Sequence, residues 1–159
     1  MHKLDYASPI GVIEIIGTEQ FISSVLFVER EIQFLQTNET PALLVDCYKE
    51  LDEYFRGQRL EFSVFYKLEG TAFQISVWEA LKNIQYGQTA SYKEIAQQVE
   101  NVKAVRAVGM TNSRNRICII VPCHRIIGAN GKLTGYAGGL WRKEWLLNHE
   151  LKHQFILSR

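Results

Sequence analysis

The chain has 159 residues, 47% hydrophobic and 22% charged, with a net charge of +1. That is enough for one compact domain or two small ones sharing a core, and no apolar run is long enough to span a bilayer. Three cysteines without CxxC spacing, Cys47, Cys118 and Cys123, argue against a disulfide framework or a zinc ribbon and point to a reducing, cytoplasmic compartment. The opening "MHKLDYASPIG" lacks the apolar stretch of a secretory signal. The small net charge conceals an asymmetry. Residues 1–70 carry 6 Lys and Arg against 12 Asp and Glu, and residues 71–159 carry 12 against 5. A polyanion is attracted to the second part and repelled by the first.

In chain order, "VIEII" (12–16) and "ISSVLFV" (22–28) read as strands with Gly17 marking the turn between them. "TPALLVDCYKELDEYFRG" reads as a helix that Thr40 caps, Pro41 enters and Gly57 stops. Leu44, Cys47, Leu51 and Phe55 share one of its faces, which makes Cys47 a core thiol. "LEFSVFY" (60–66) returns as a strand. The charge balance changes at "KLEG" (67–70), which divides the chain into domains 1–70 and 71–159.

The second part is mainly helical. Thr71 with Gln74, and Ser91 with Glu94, form capping boxes. Phe73, Val77, Leu81 and Ile84 make an apolar stripe closed by Gly87. A short helix over 92–99, a turn at Glu100–Asn101 and a helix over 102–113 give a helix-turn-helix pattern. Its second helix carries Lys103 and Arg106 among the small residues Ala104, Ala107 and Gly109, which allow close approach to a partner.

The densest chemistry lies in "IIVPCHRIIG" (119–128). An apolar β-type run ends at Pro122, and Cys123, His124 and Arg125 follow directly. An unperturbed cysteine is only a few per cent thiolate at neutral pH, so a nucleophilic Cys123 needs a base. Neighbours in extended backbone point to opposite sides, so His124 would act on Cys123 through a bridging water. A buried structural cysteine beside a surface histidine is the plain alternative. Near the C-terminus, "HELKH" (149–153) matches the zinc-protease pattern H-E-x-x-H. A catalytic zinc wants a third protein ligand, and none of the six residues after His153 supplies one. Glu150 could instead be the carboxylate that orients His124.

Taken together, "VPCHR" with Asn115 eight positions before the cysteine, "VRAVGMTNSRN" and "GYAGGLWRKEWLLNHE" resemble the O6-alkylguanine-DNA alkyltransferases, the methylated-DNA–protein-cysteine methyltransferases. The resemblance runs from about 71 to 150, and "LDEYFRGQRLEF" extends it into the first part. It implies an α/β, ribonuclease-H-like N-terminal domain and a mainly α C-terminal domain. It also implies irreversible, single-turnover transfer of a methyl or small alkyl group from guanine O6, with thymine O4 a further substrate, to Cys123. His124 becomes the water-linked base, Glu150 its carboxylate and Asn115 the brace of the active-site turn. Tyr92 becomes the proton donor to the leaving guanine. Arg106 becomes the finger that fills the stack when the nucleotide is extruded, on a helix in the minor groove. The DNA contacts implied are Arg106, Ala104, Ala107, Gly109, Lys103 and Ser91. Ile126, Tyr136, Ala137, Gly138 and Arg125 line the guanine pocket. Double-stranded DNA is the partner, the protein is a monomer, and no cofactor or metal is expected. Four positions depart from the family pattern: Arg116 and Cys118, where proline or aliphatic residues are usual, and Met110 and Thr111, where small ones are. Ala137 replaces the serine of some members.

Overall fold

The structure, a computed structural model, describes residues 1–157. Three strands, β1 (His2–Ser8), β2 (Gly11–Gly17) and β3 (Ile22–Val28), form an antiparallel sheet in that order. The first of them is not evident from the sequence, because Leu4, Asp5 and Tyr6 are all buried and no clean alternation results. Asp5 is accommodated by its partners: its carboxylate accepts from Arg30 (2.7 Å) and from the backbone N–H groups of Gln33 and Phe34 (2.8 and 3.0 Å). With the bond from the Asp5 N–H to the Phe34 carbonyl (2.8 Å), these hold residues 30–34 against β1.

Helix α1 (Ala42–Phe55) packs on β1 and β2 and buries the expected stripe of Leu44, Cys47, Leu51 and Phe55, and Tyr54 besides. Thr40 does not cap it. Pro41 occupies the cap position, and the Thr40 hydroxyl turns back to accept the Thr37 N–H. Gly57 does end the helix, with a φ of 73° that a residue bearing a Cβ adopts only under strain. Residues 60–66 do not form the expected strand. Only Phe65 and Lys67 bond to β3, through Ile22. The reason is a side chain: the buried Glu50 carboxylate accepts the backbone N–H groups of Ser63 and Val64 and the Ser63 hydroxyl. Donors that a ladder would have used are already spent.

In the second part, α2 (Ala72–Leu81) and α3 (Tyr92–Gln98) both begin with complete capping boxes, Thr71–Gln74 and Ser91–Glu94. Helix α2 is shorter than its apolar stripe suggests, and Ile84 is buried in the turn that follows it. Helix α4 (Val105–Ser113) starts later than expected, because Glu100 takes a left-handed φ of 59° and Ala104 is held by Asn101 in a turn. Helices α2, α3 and α4 pack together over Val77, Leu81, Ile95, Ala96 and Val108. Helix α5 (Leu140–Leu157) closes the described chain, and among the described residues no helix is long and apolar enough to cross a membrane.

The two parts are joined at the outer edge of β3. Val25 exchanges backbone hydrogen bonds with Arg116 and Cys118 (2.8 and 2.9 Å). Residues 117–121 therefore make two isolated bridges, Ile117 with Val25 and Cys118 with Val121, rather than running as a strand, and the chain reverses at Ile119, whose φ is 72°. For a β-branched residue that conformation costs about 1–3 kcal/mol and clusters at functional sites. The next segment forms a 3-10 turn, Cys123–Arg125, then β5 (Ile126–Ile127), which pairs in parallel with β4 (Ala90–Ser91).

Gly57 provides a direct test of the α1 terminus. A Cβ at Gly57 would lie 2.2 Å from the His153 ring, and the left-handed φ adds strain. Gly57→Ala is expected to lower stability by about 1–3 kcal/mol, read as a reduced denaturation midpoint with an unchanged m-value.

Candidate active site

The 3-10 turn places Cys123, His124 and Arg125 in the interior, all buried. The extended backbone expected at this point is absent, because Arg125 N–H closes back on the Pro122 carbonyl at 3.0 Å. The His124 and Arg125 side chains converge on Glu150, which is fully buried on α5. The Glu150 carboxylate accepts from His124 Nε2 at 2.7 Å, Arg125 Nε at 2.8 Å, Arg125 Nη2 at 3.1 Å, the Tyr54 hydroxyl at 2.6 Å and the Gly87 N–H at 3.2 Å. These donors come from α1, from the turn before β4 and from the active-site turn.

The electrostatics follow from that geometry. Burial alone would raise the Glu150 pKa, but His124, hydrogen-bonded to it and charged once the pH falls below its own pKa, and the Arg125 guanidinium hold it well below the carboxylate range. Burial lowers the His124 pKa, against the pull of Glu150, so the ring is neutral at rest. A carboxylate can only accept, so Nε2 carries the hydrogen and Nδ1 is the basic atom. Nδ1 makes no hydrogen bond to the protein.

Cys123 lies 3% exposed at the start of the turn. Its pKa is lowered, first by the Cys118 thiol beside it and further by the Asn115 amide and the charge of Lys143, with burial opposing. Asn115 also braces the reversal: its Nδ2 donates to the Val121 and Ile117 carbonyls (2.9 and 3.3 Å), and its Oδ1 accepts the Ile117 N–H at 3.0 Å. Asn112 adds a bond from α4, donating to the Cys123 carbonyl at 3.3 Å.

The other expected residues divide into three groups. On α4, Arg106, Ala107 and Met110 are exposed, as is Lys103 just before it, while Ala104 and Gly109 are half-buried. Thr111 is buried and faces the core, where its carbonyl accepts the Trp78 indole N–H, so its bulk does not project from that face. Tyr92 stands at the start of α3, packed near Gly109 and hydrogen-bonded to the Thr134 hydroxyl. Ser91 uses its hydroxyl as the α3 cap. Around the loop, Ile126 and Tyr136 are buried, Ala137 is exposed and Gly138 packs against Phe27 and Tyr136. Arg125, expected to line the pocket, is instead committed to Glu150 and to the Ile84 carbonyl at 2.7 Å, because a buried carboxylate needs a full countercharge.

The HELKH histidines lie ring against ring, 4.4 Å between centroids, but each ties a nitrogen to a backbone carbonyl. His149 Nε2 donates to the Tyr54 carbonyl (2.7 Å), His153 Nδ1 bonds the His149 carbonyl (2.8 Å), and Glu150 turns inward to His124. Among the described residues no three His, Cys, Asp or Glu side chains form a metal-binding group.

Sequence reasoning missed Lys143, Thr134, Asn112 and Tyr54. Lys143 is fully buried, with its pKa pushed down to about 8 by burial, and its Nζ donates to the Thr134 carbonyl at 2.9 Å. The signal was present: Lys143, Leu146 and Glu150 fall on one helical face of α5.

The comparisons with known proteins bear on the same two parts. The family description "6-O-methylguanine DNA methyltransferase, ribonuclease-like domain" matches residues 1–68, and "6-O-methylguanine DNA methyltransferase, DNA binding domain" matches residues 72–152. The architecture is thus that of a two-domain DNA methyltransferase, a sheet-containing N-terminal domain followed by a helical DNA-binding one. A methylated-DNA–protein-cysteine methyltransferase from Methanosarcina acetivorans is 47% identical over 94% of this chain and 98% of its own. Another from Mycobacterium leprae is 44% identical over 99% and 96%. Among solved structures, Mycobacterium tuberculosis OGT in complex with DNA superposes with a TM-score of 0.87 at 40% identity, covering 100% of both chains. The chain belongs to the methylated-DNA–protein-cysteine methyltransferase family.

Two outcomes test the buried network. His124 and His149 both have folded pKa values below the ordinary 6.5, and that of Glu150 lies below 4.5. A depressed folded pKa means that the unfolded chain binds more protons, so stability is full above pH 6.5 and declines as pH falls below it, with a further decline below 4.5. Thermal midpoints measured from pH 8 to pH 4 should show both phases. Glu150→Gln leaves the Arg125 charge uncompensated and should cost about 3–5 kcal/mol in chemical denaturation.

Proposed function

We propose that this protein repairs duplex DNA by moving a methyl or small alkyl group from guanine O6 to its own Cys123. The observation that carries the reading is the His124–Glu150 contact behind a cysteine whose surroundings favour the thiolate. Glu150 fixes the His124 tautomer, and Nδ1 receives the Cys123 proton through a bridging water. The thiolate attacks the alkyl carbon: the S–C bond forms, the C–O6 bond breaks, and the electron pair passes into the guanine ring. Tyr92 supplies a proton to ring N3, which improves the leaving group. Its phenol is tied to Thr134, which Lys143 in turn holds, so the three residues form one positioning chain. The thioether product is stable, so each molecule acts once. Thymine O4 carries the same leaving-group chemistry and is a second substrate.

DNA binding is assigned to α3, the turn and α4 as a helix-turn-helix. Residues 101–143 contain no Asp or Glu but include Lys103, Arg106, Arg114 and Arg116, a composition suited to phosphate contacts. The exposed face of α4, with Ala107 beside Arg106, suits close approach in the minor groove. Arg106 fills the stack when the nucleotide is extruded, a step costing a few kcal/mol. Tyr136, Ala137 and Gly138 close over the guanine, and Ala137 does so with its backbone alone. The N-terminal domain is a ribonuclease-H-like support, the boundary falls near residue 70, and the protein works as a cytoplasmic monomer.

Incubation with O6-methylguanine duplex should add one methyl to Cys123, located by peptide mass mapping. Cys123→Ala should abolish transfer and keep DNA affinity. Should no methyl appear on Cys123, the reading fails and a helix-turn-helix DNA binder with an incidental cysteine is favoured. Arg106→Ala should slow repair of duplex by about tenfold or more, an effect of about 1.4 kcal/mol, while reaction with free O6-methylguanine base changes far less. Equal losses on both substrates would remove the finger role.

A further inference from the structure

One buried thiol sits beside the alkyl acceptor without itself receiving the alkyl group. Cys118 lies five positions before Cys123, and both thiols are buried, at 2% and 3% exposure. The backbone between them reverses on itself. Ile120 N–H bonds the Cys118 carbonyl at 2.8 Å, Val121 N–H the Ile117 carbonyl at 3.0 Å, and Cys123 N–H the Val121 carbonyl at 2.8 Å. The left-handed Ile119 makes the turn, and the Asn115 amide clamps both sides of it. A bridge between Cys118 and Val121 closes the reversal, and the Cys118 thiol interacts with the Cys123 thiol and with Tyr136. The third thiol, Cys47, is buried on α1 and is pushed up to about 12 by burial.

A thiolate poised for attack at carbon is equally open to peroxides, and its fate then depends on whether a second thiol is within reach. We propose that Cys118 is the resolving thiol of Cys123, so that peroxide converts the pair into an intramolecular disulfide. The Cys123 thiolate attacks a peroxide oxygen. The O–O bond breaks, the sulfur is oxidised to sulfenic acid, and hydroxide leaves and takes up a proton as water. Cys118 then attacks the Cys123 sulfur: the S–S bond forms, the S–O bond breaks, and the departing oxygen leaves as water with the Cys118 proton. Two thiols and one peroxide give one disulfide and two waters. The disulfide blocks alkyl transfer reversibly and shields Cys123 from sulfinic acid, which a thiol reductant does not repair. The proposal rests on Cys123 as alkyl acceptor only for its activity readout, since the bond itself is read by mass.

The test treats the reduced full-length protein with hydrogen peroxide, labels free thiols with iodoacetamide and maps peptides. Cleavage after Arg116 and Arg125 leaves both cysteines on one peptide, residues 117–125. That peptide should be unlabelled and lighter by two hydrogens. Methyl acceptance from O6-methylguanine duplex should be lost and then restored by dithiothreitol. In Cys118→Ala, or in Cys118→Ser should the alanine variant fold poorly, the same treatment should drive Cys123 to sulfinic or sulfonic acid, with acceptance not restored. Cys47→Ser should respond as the unaltered protein does. A wild-type peptide carrying oxidised Cys123 and labelled Cys118 overturns the proposal, as does full recovery by the Cys118 variants. Failure of the untreated protein to accept methyl would sink the functional reading alone, because the disulfide is scored independently.

Discussion

The arrangement depends on keeping one carboxylate ionised in the protein interior. Removing a charge from water costs several kcal/mol unless it is paired and hydrogen-bonded. Glu150 meets that demand with donors from His124, Arg125, Tyr54 and Gly87. Those donors belong to segments far apart in the chain, so satisfying the carboxylate also fixes α1, α5 and the active-site turn relative to one another. The sheet domain is therefore part of the site's electrostatics through Tyr54. His124 gains a defined tautomer as a by-product of the same requirement.

Around Cys123 two tendencies compete. Burial favours the neutral thiol, while Cys118, Asn115 and Lys143 favour the thiolate. The turn that assembles them is strained at Ile119 and braced by Asn115. The strain and the brace belong together, since a left-handed isoleucine persists only where its surroundings over-determine it.

Legibility in the sequence followed the range of the interactions. Capping boxes are written within four residues, so Thr71–Gln74 and Ser91–Glu94 were read correctly, as was the apolar stripe of α1. The Cys123–His124–Glu150–Asn115 cluster could be anticipated through family resemblance, and the structure brings those residues together. What could not be read were buried polar groups satisfied at a distance. Asp5 hid β1, Glu50 consumed the donors that would have made residues 60–66 a strand, and Arg125 went to Glu150 instead of the pocket. Lys143 and Thr134 escaped notice because their partners lie across a loop. Thr40 failed as a cap because Pro41 holds the cap position and the Thr40 hydroxyl accepts the Thr37 N–H.

The division of charge between the two halves has a kinetic meaning. An acidic support fused to a basic, carboxylate-free stretch gives the molecule a permanent orientation in the field of a polyanion. Long-range torque turns the basic part toward the polyanion before contact and discourages encounters through the acidic part. Productive collisions are thereby enriched without adding any contact in the final complex, and the advantage fades once ions shorten the reach of the field.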